Sequence, residues 1–276
     1  MTTFDLNLDY VRASRLILPQ YEALSLVLVG CGGTGSWLAP AVVRVARLLQ
    51  ETQSKKVGLY FVDPDIVEEK NVYRQNFCQA EVGQYKAETL AWRLGAAWGM
   101  EITSIAKTLK DAKDTMINRF YARKATIMIG CVDRPSARNE IQYCLERESN
   151  GWWLDCGNEA NTGQVLIGTD DRKPKDAFSL PGFCSWLPLP SLQHPELVEE
   201  RDSAAAEMPG LSCAEMALRD NQGLAINQRV AAEAADYLVR LLITKDLQKM
   251  ATYLDLASGS ARSVYITPEV VGRYGK

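Results

Sequence analysis

Four groups of residues in this 276-residue chain have the types and spacing to hold a nucleotide. The first is the cluster Gly30-Cys31-Gly32-Gly33-Thr34-Gly35. Glycines at this spacing let backbone N–H groups come close to phosphate oxygens, and a helix leaving the cluster adds the partial positive charge of its N-terminus. The second is Asp63, which ends an apolar run and could accept hydrogen bonds from ribose hydroxyls. It lies 28 residues beyond Gly35, farther than in most dinucleotide sites, which weakens a nicotinamide reading. The third is the stretch from Asp65 through Asn71, Arg74 and Gln75 to Lys86. A guanidinium fork matches phosphate oxygens and an ammonium acts on them as a point charge, so together these residues resemble a triphosphate clamp. The fourth is Asp133, where a single carboxylate could hold Mg²⁺ on a bound nucleotide. Each has a plainer role as well. The glycines could form a packing turn, Asp63 could cap a turn before Pro64, and Asp133 could cap the following helix.

Those residues need a frame. Leu26–Val29 reads as a buried strand running into the glycines, and 36–50 as the helix leaving them, with Pro40 near its first turn. Further strands are expected over 57–63, 101–109, 125–133, 152–157 and 164–168, with helices over 83–98, 114–123 and 135–149. Strands alternating with helices predict α/β architecture. The expected fold is a doubly wound, Rossmann-like, mostly parallel sheet with helices on both faces, plus a C-terminal helix and strand extension. Residues 1–24 read as an N-terminal arm that contributes to a dimer, and 25–169 as the nucleotide-binding core. Residues 170–212 read as a long irregular crossover, and 213–276 as a helix (213–248) and hairpin (251–267) completing the same domain.

Composition narrows the chemistry. The chain has 31 Lys and Arg against 34 Asp and Glu, which disfavours nucleic-acid binding. No apolar run reaches membrane-spanning length and the first residues lack a leader pattern, so a cytoplasmic protein is expected. His194 is the single histidine and lies in a proline-rich stretch, which excludes a His-rich metal site and points to a loop residue. The seven cysteines are widely spaced with no C-x-x-C pair, so neither a disulfide framework nor a zinc knuckle is expected.

Taken together, Arg12-x-x-Arg15, GxGGTGS, DxDxVExxNxxRQ, GxxKAE, CVDRPSAR and LDCG resemble the ThiF/MoeB/ubiquitin-activating adenylyltransferases over about residues 12–168. More narrowly, residues 209–242 look like the ThiF-like protein of the ParB-related, ThiF-related (PRTRC) cassette. The resemblance implies ATP- and Mg²⁺-dependent adenylation of the C-terminal carboxylate of a small ubiquitin-like protein. Gly30, Gly32, Gly33 and Gly35 would line the nucleotide, Asp63 would hold the ribose, and Asp65 would belong to the same nucleotide site. Asn71, Arg74, Gln75 and Lys86 would contact phosphates, and Asp133 would bind Mg²⁺. It also implies a homodimer in which Arg15 reaches into the other subunit's site, and conjugating or peptidase partners from the same cassette. Where the family transfers the activated carboxyl to a cysteine, the candidates here are Cys213, which opens the long helix, and Cys184. Two other readings stand beside this one: an NAD(P)-dependent oxidoreductase, and a non-catalytic scaffold of the ubiquitin-activating type.

Overall fold

The structure, a computed structural model, describes residues 8–116, 124–146, 148–169, 176–199 and 224–274. Its strands are β1 (Arg15–Leu16), β2 (Ala23–Val29), β3 (Lys56–Val62), β4 (Thr103–Ile105), β5 (Lys124–Gly130), β6 (Gly151–Asn158), β7 (Thr162–Gly168), β8 (Phe183–Cys184), β9 (Lys249–Asp255) and β10 (Ser260–Tyr265). Its helices are α1 (Asp9–Arg12), α2 (Gly33–Gln53), α3 (Lys86–Trp98), α4 (Leu109–Met116), α5 (Pro135–Leu145), α6 (Pro190–Gln193), α7 (Leu224–Val239) and α8 (Pro268–Val271). Eight strands form one sheet in the order β10-β9-β7-β6-β5-β2-β3-β4. The pairs from β4 to β6 are parallel; those from β6 to β10 are antiparallel. The expected doubly wound α/β sheet is therefore present, with β9 and β10 as the C-terminal strand extension.

Every residue of β2 is buried, because a central parallel strand is covered on both faces. Leu24, Leu26 and Leu28 pack into the core that includes α2, α3 and α7, whereas Val27 and Val29 pack with Ile141 and Leu145 of α5 on the opposite face. Trp152 and Trp153 divide between the same two cores, since successive strand residues point to opposite faces. Each such buried side chain is worth about 1.5–3 kcal/mol. Among the described residues no helix is long and apolar enough to cross a membrane.

Several element boundaries differ from expectation; the helix expected over 114–123 is met only by the end of α4, and residues 117–123 lie outside the described residues. The 101–109 strand shrinks to Thr103–Ile105, because Leu109 already belongs to α4 and Thr108 binds Asp111 at that helix's start. The C-terminal helix ends as a π turn over Arg240–Thr244, closed by Lys245 in the left-handed region. Helix α2 begins at Gly33 rather than residue 36, so Pro40 lies inside it. An interior proline donates no N–H to the carbonyl four residues earlier, here Ser36. Asn76 Nδ2 donates to that carbonyl instead, at 3.2 Å.

Candidate functional site

Strand register brings the first pieces together. Val29 pairs with Val62 on one side and Gly130 on the other, so Gly30, Asp63 and Cys131 emerge side by side at the carboxyl edge of the sheet. That edge, where the chain switches from β4 across to β5, is where doubly wound sheets bind ligands. Gly30 has φ +87°, and a Cβ there would lie 2.4 Å from the Cys131 carbonyl oxygen. A Cβ on Gly35 would lie 1.9 Å from the Gly30 carbonyl oxygen. The turn can therefore close onto the first turn of α2 only with glycine at both places. The N-cap of α2, Gly32, supplies no side chain to the helix N-terminus, which leaves that end suited to an anion.

Asp63 is buried. Its carboxylate accepts N–H bonds from Cys31 at 2.6 Å and Asp65 at 2.8 Å. Lys86, the first residue of α3, is also buried, and its Nζ donates to Asp65 Oδ2 at 3.0 Å. Burial pushes the Asp63 carboxyl above the usual carboxylate range, while the Lys86 ammonium and the two N–H donors pull it back. Lys86→Met is therefore expected to raise the Asp63 pKa further, which a carboxyl-carbon NMR titration would read. The sign is fixed by linkage. A carboxyl with a raised folded-state pKa holds its proton more tightly in the folded chain, so its contribution to stability is lost as pH rises through that value. The substitution would extend the window upward in pH. An unchanged Asp63 titration would remove Lys86 from its electrostatic surroundings.

Residues 68–77 form the other wall. Asn71 is buried and structural in part: its Oδ1 accepts from Glu68 N, and its carbonyl accepts from Arg74 N and Gln75 N. Gln75 is buried too, with Oε1 lacking a hydrogen-bond partner among the described residues and Nε2 3.8 Å from where a Gly32 Cβ would sit. The Arg74 carbonyl accepts from Trp37 Nε1 at 3.1 Å, which ties this loop to α2. A third wall has no counterpart in the sequence motifs. Asn227 of α7 is fully buried against the glycine turn; its Oδ1 accepts from Thr34 Oγ1 at 3.3 Å, and its Nδ2 has no partner among the described residues. Asn158 at the end of β6 takes the same hydroxyl at 2.9 Å. Two buried carboxamides, one with a spare acceptor and one with a spare donor, flank an uncapped helix N-terminus. That arrangement fits a polyanionic ligand bearing polar groups.

Asp133 follows β5 and is exposed. Its main-chain oxygen accepts from Arg138 Nη1 at 3.2 Å, and Arg138 Nε donates to Asp155 Oδ1 at 3.0 Å. Arg138 lies in the CVDRPSAR motif, yet this buried pair with Asp155 makes it structural, because it fastens the Asp133 loop to β6. Among the described residues no three His, Cys, Asp or Glu groups are placed to enclose a metal ion. A carboxylate acting alone beside phosphates is the mode Mg²⁺ commonly uses on nucleotides, so Asp133 fits it.

The structure does not bring every expected residue to this edge. Arg15 is exposed on β1. Its neighbours Ser14 and Leu16 donate to the carbonyls of Ile266 and Leu247, just after β10 and just before β9. By the sheet's strand directions those carbonyls lie at the amino edge, opposite the glycine turn. Cys213 lies outside the described residues. Cys184 does not suit the role of exposed nucleophile: it is fully buried, its Sγ donates to the Trp186 carbonyl at 2.9 Å, and burial pushes its thiol up to about 11. His194 bonds to Glu196 and to the Tyr253 hydroxyl, a loop fastening on the side of β9.

No curated protein sequence matches the chain. Among solved structures it resembles PaaA, at 15% identity and TM-score 0.56 over 88% of this chain and 64% of that one. It also resembles E. coli MccB solved with ATP, at 16% identity and TM-score 0.54 over 88% and 63%, and MccB solved with N-formylated MccA, at 15%, 0.54, 88% and 64%. The chain thus spans slightly under two thirds of the length of these proteins, and the likeness is one of fold. A model of the ThiF family matches residues 15–179, more than half of the sequence and nearly all of the edge just described. With the glycine turn, Asp63, the Asn71–Gln75 loop, Lys86 and Asp133 all inside the matched span, this chain belongs to the ThiF family.

Proposed function

We propose that this protein binds ATP at the carboxyl edge of its sheet and transfers the AMP moiety to the C-terminal carboxylate of a small ubiquitin-like protein. The observation that carries the reading is the buried Lys86 ammonium held on Asp65 beside Asp63 and the glycine turn. A buried cation beside Asp63 at the glycine turn, with two carboxamides of unused hydrogen-bonding capacity against the same turn, is suited to a triphosphate. Asp63, already fixed by two N–H donors, would accept from the ribose hydroxyls. Arg74, Gln75 and Lys86 would take the phosphates, and Asn71 would shape their loop. Asp133 would hold Mg²⁺, which supplies positive charge against the phosphate oxygens when bound.

The chemistry asks little more of the chain. A C-terminal carboxylate is ionised at neutral pH, so no side chain need remove a proton. Its oxygen forms a bond to the α-phosphorus, the bond from that phosphorus to the bridging oxygen breaks, and pyrophosphate leaves with the electron pair. The chain's work is to hold two anions together and neutralise them. The solved complexes of MccB with ATP and with MccA support a second substrate beside the nucleotide. A homodimer is part of the proposal, because Arg15 sits at the opposite edge from its own glycine turn and needs a second subunit to reach one. Any onward transfer to sulfur falls to Cys213 rather than Cys184.

Exchange of [³²P]pyrophosphate into ATP, with small proteins encoded beside the gene as co-substrates, tests the reading. Asp133→Asn is expected to reduce Mg²⁺-dependent exchange by about 100-fold or more while leaving the melting temperature unchanged. Exchange at the wild-type rate would remove Asp133 from the site, and NADH binding in the absence of ATP binding would overturn the reading as a whole.

A further inference from the structure

We infer that Asn76 is a positioning residue for the phosphate-binding loop, and that the proline inside α2 serves to receive it; the inference rests on the nucleotide reading above. Pro40 leaves the Ser36 carbonyl without its helical donor. Asn76 Nδ2 takes that donor's place at 3.2 Å, and Asn76 N donates to Ser36 Oγ at 2.9 Å. One residue of the loop thus grips both the carbonyl and the hydroxyl of one residue of the helix. Ser36 Oγ in turn donates to the Gly33 carbonyl at 3.1 Å, so the chain of bonds runs from the loop through Ser36 into the glycine turn.

Two further contacts fix the same unit. Trp37 Nε1 donates to the Arg74 carbonyl, and Arg93 Nη2 of α3 donates to the Asn76 carbonyl at 2.6 Å. Arg93 is held by Glu81, which also takes the Thr89 hydroxyl. The loop bearing Arg74 and Gln75 is therefore clamped between the helix that carries the glycines and the helix that carries Lys86. A loop pinned only by its own turns could swing; this one is registered against the two other phosphate-facing parts. In an uninterrupted helix the Ser36 carbonyl would already be occupied, and Asn76 would compete with a helical N–H for it. The proline removes the competitor.

The test separates grip on phosphates from grip on the nucleoside. Dissociation constants for ATP and for adenosine are measured by calorimetry, with competition where binding is weak, on the full chain and on Asn76→Ala and Pro40→Ala. Asn76→Ala is expected to weaken ATP at least tenfold while changing adenosine less than twofold. Pro40→Ala restores an N–H to α2, so the melting temperature should hold or rise while ATP again weakens selectively. Stability and phosphate affinity moving apart is a pattern that a purely structural role for Asn76 would not produce. If Asn76→Ala does not fold, Pro40→Ala alone decides. An ATP-to-adenosine ratio within threefold of wild type overturns the inference. Amide exchange over residues 71–77 distinguishes this failure from that of the nucleotide reading. Faster exchange in both variants, with a wild-type chain that binds no ATP, would sink the nucleotide reading and the functional part of this inference together, whereas ATP binding with an unchanged ratio would sink this inference alone.

Discussion

Arg138→Met is expected to lower the free energy of unfolding by about 3–5 kcal/mol at pH 8, the cost of breaking a buried ion pair from one side. Methionine fills similar space, so packing is largely kept and the loss is that of the charge and its hydrogen bonds. Asp155 is fully buried, one of its oxygens already has no partner among the described residues, and the other has Arg138 Nε. Burial raises the Asp155 carboxyl and Arg138 lowers it. Removing Arg138 lets burial act with little opposition, so Asp155 holds its proton to higher pH in the folded chain. The folded state then binds a proton that the unfolded state has released, and stability falls as pH rises through that window. Urea unfolding should therefore show a smaller penalty at pH 5 than at pH 8, and Asp155→Asn in the Arg138→Met background should recover part of it. A penalty below about 1 kcal/mol at pH 8, the level of an exposed pair, would mean that the pair is screened by solvent. The substitution should also reach the nucleotide edge, because Arg138 Nη1 holds the carbonyl of Asp133.

How much of this is legible in the sequence depends on whether a residue's partner is near in the chain. The glycine turn, Asp63 and Asp133 each follow a run of apolar residues, and a parallel sheet necessarily delivers the ends of β2, β3 and β5 to one edge. Local chemistry thus suffices for them. The expected start of α2 at residue 36 leaves the glycines out, because glycines are poor helix formers; here the helix begins at Gly33, with its first turn held by packing of Gly35 against the Gly30 carbonyl. That small difference hides Pro40: a proline near a first turn is unremarkable, but an interior one signals a carbonyl in need of a donor. Asn76 lies 40 residues from Ser36 and Asn227 lies 193 from Thr34, so no local spacing points to either. Arg138 is in plain view within its motif, but what it does depends on Asp155, which reads from sequence as an ordinary strand residue and proves to be a buried charge. Thr108 and Asp111 form the opposite case, a T-x-x-D start signal close enough to be read, outweighed by the apolar alternation over 101–109 that resembles a strand.

Mixing two inactive variants should restore activity if the site is shared between subunits. Arg15 is exposed on a short strand bonded to the amino edge of the sheet, whereas the glycine turn, Lys86 and Asp133 belong to the carboxyl edge. Reaching its own turn would require the arm to leave β8 and the carbonyls of Leu247 and Ile266. In the proposed homodimer the guanidinium would instead come from the second subunit and offset charge developing on the transferred phosphoryl group. Arg15→Ala and Lys86→Ala are each expected to lose pyrophosphate exchange as homodimers. In a heterodimer the Arg15→Ala subunit keeps its own Lys86 and receives Arg15 from its neighbour, giving one complete site, while the other site lacks both groups. Equal mixing with free exchange makes half the dimers heterodimers, so about a quarter of wild-type sites should return. Recovery is measured as exchange rate against mixing time, with subunit exchange followed independently by native mass spectrometry of a mass-tagged variant. Full subunit exchange without recovered turnover would confine Arg15 to a role within its own chain, and full activity of the Arg15→Ala homodimer would remove it from the reaction.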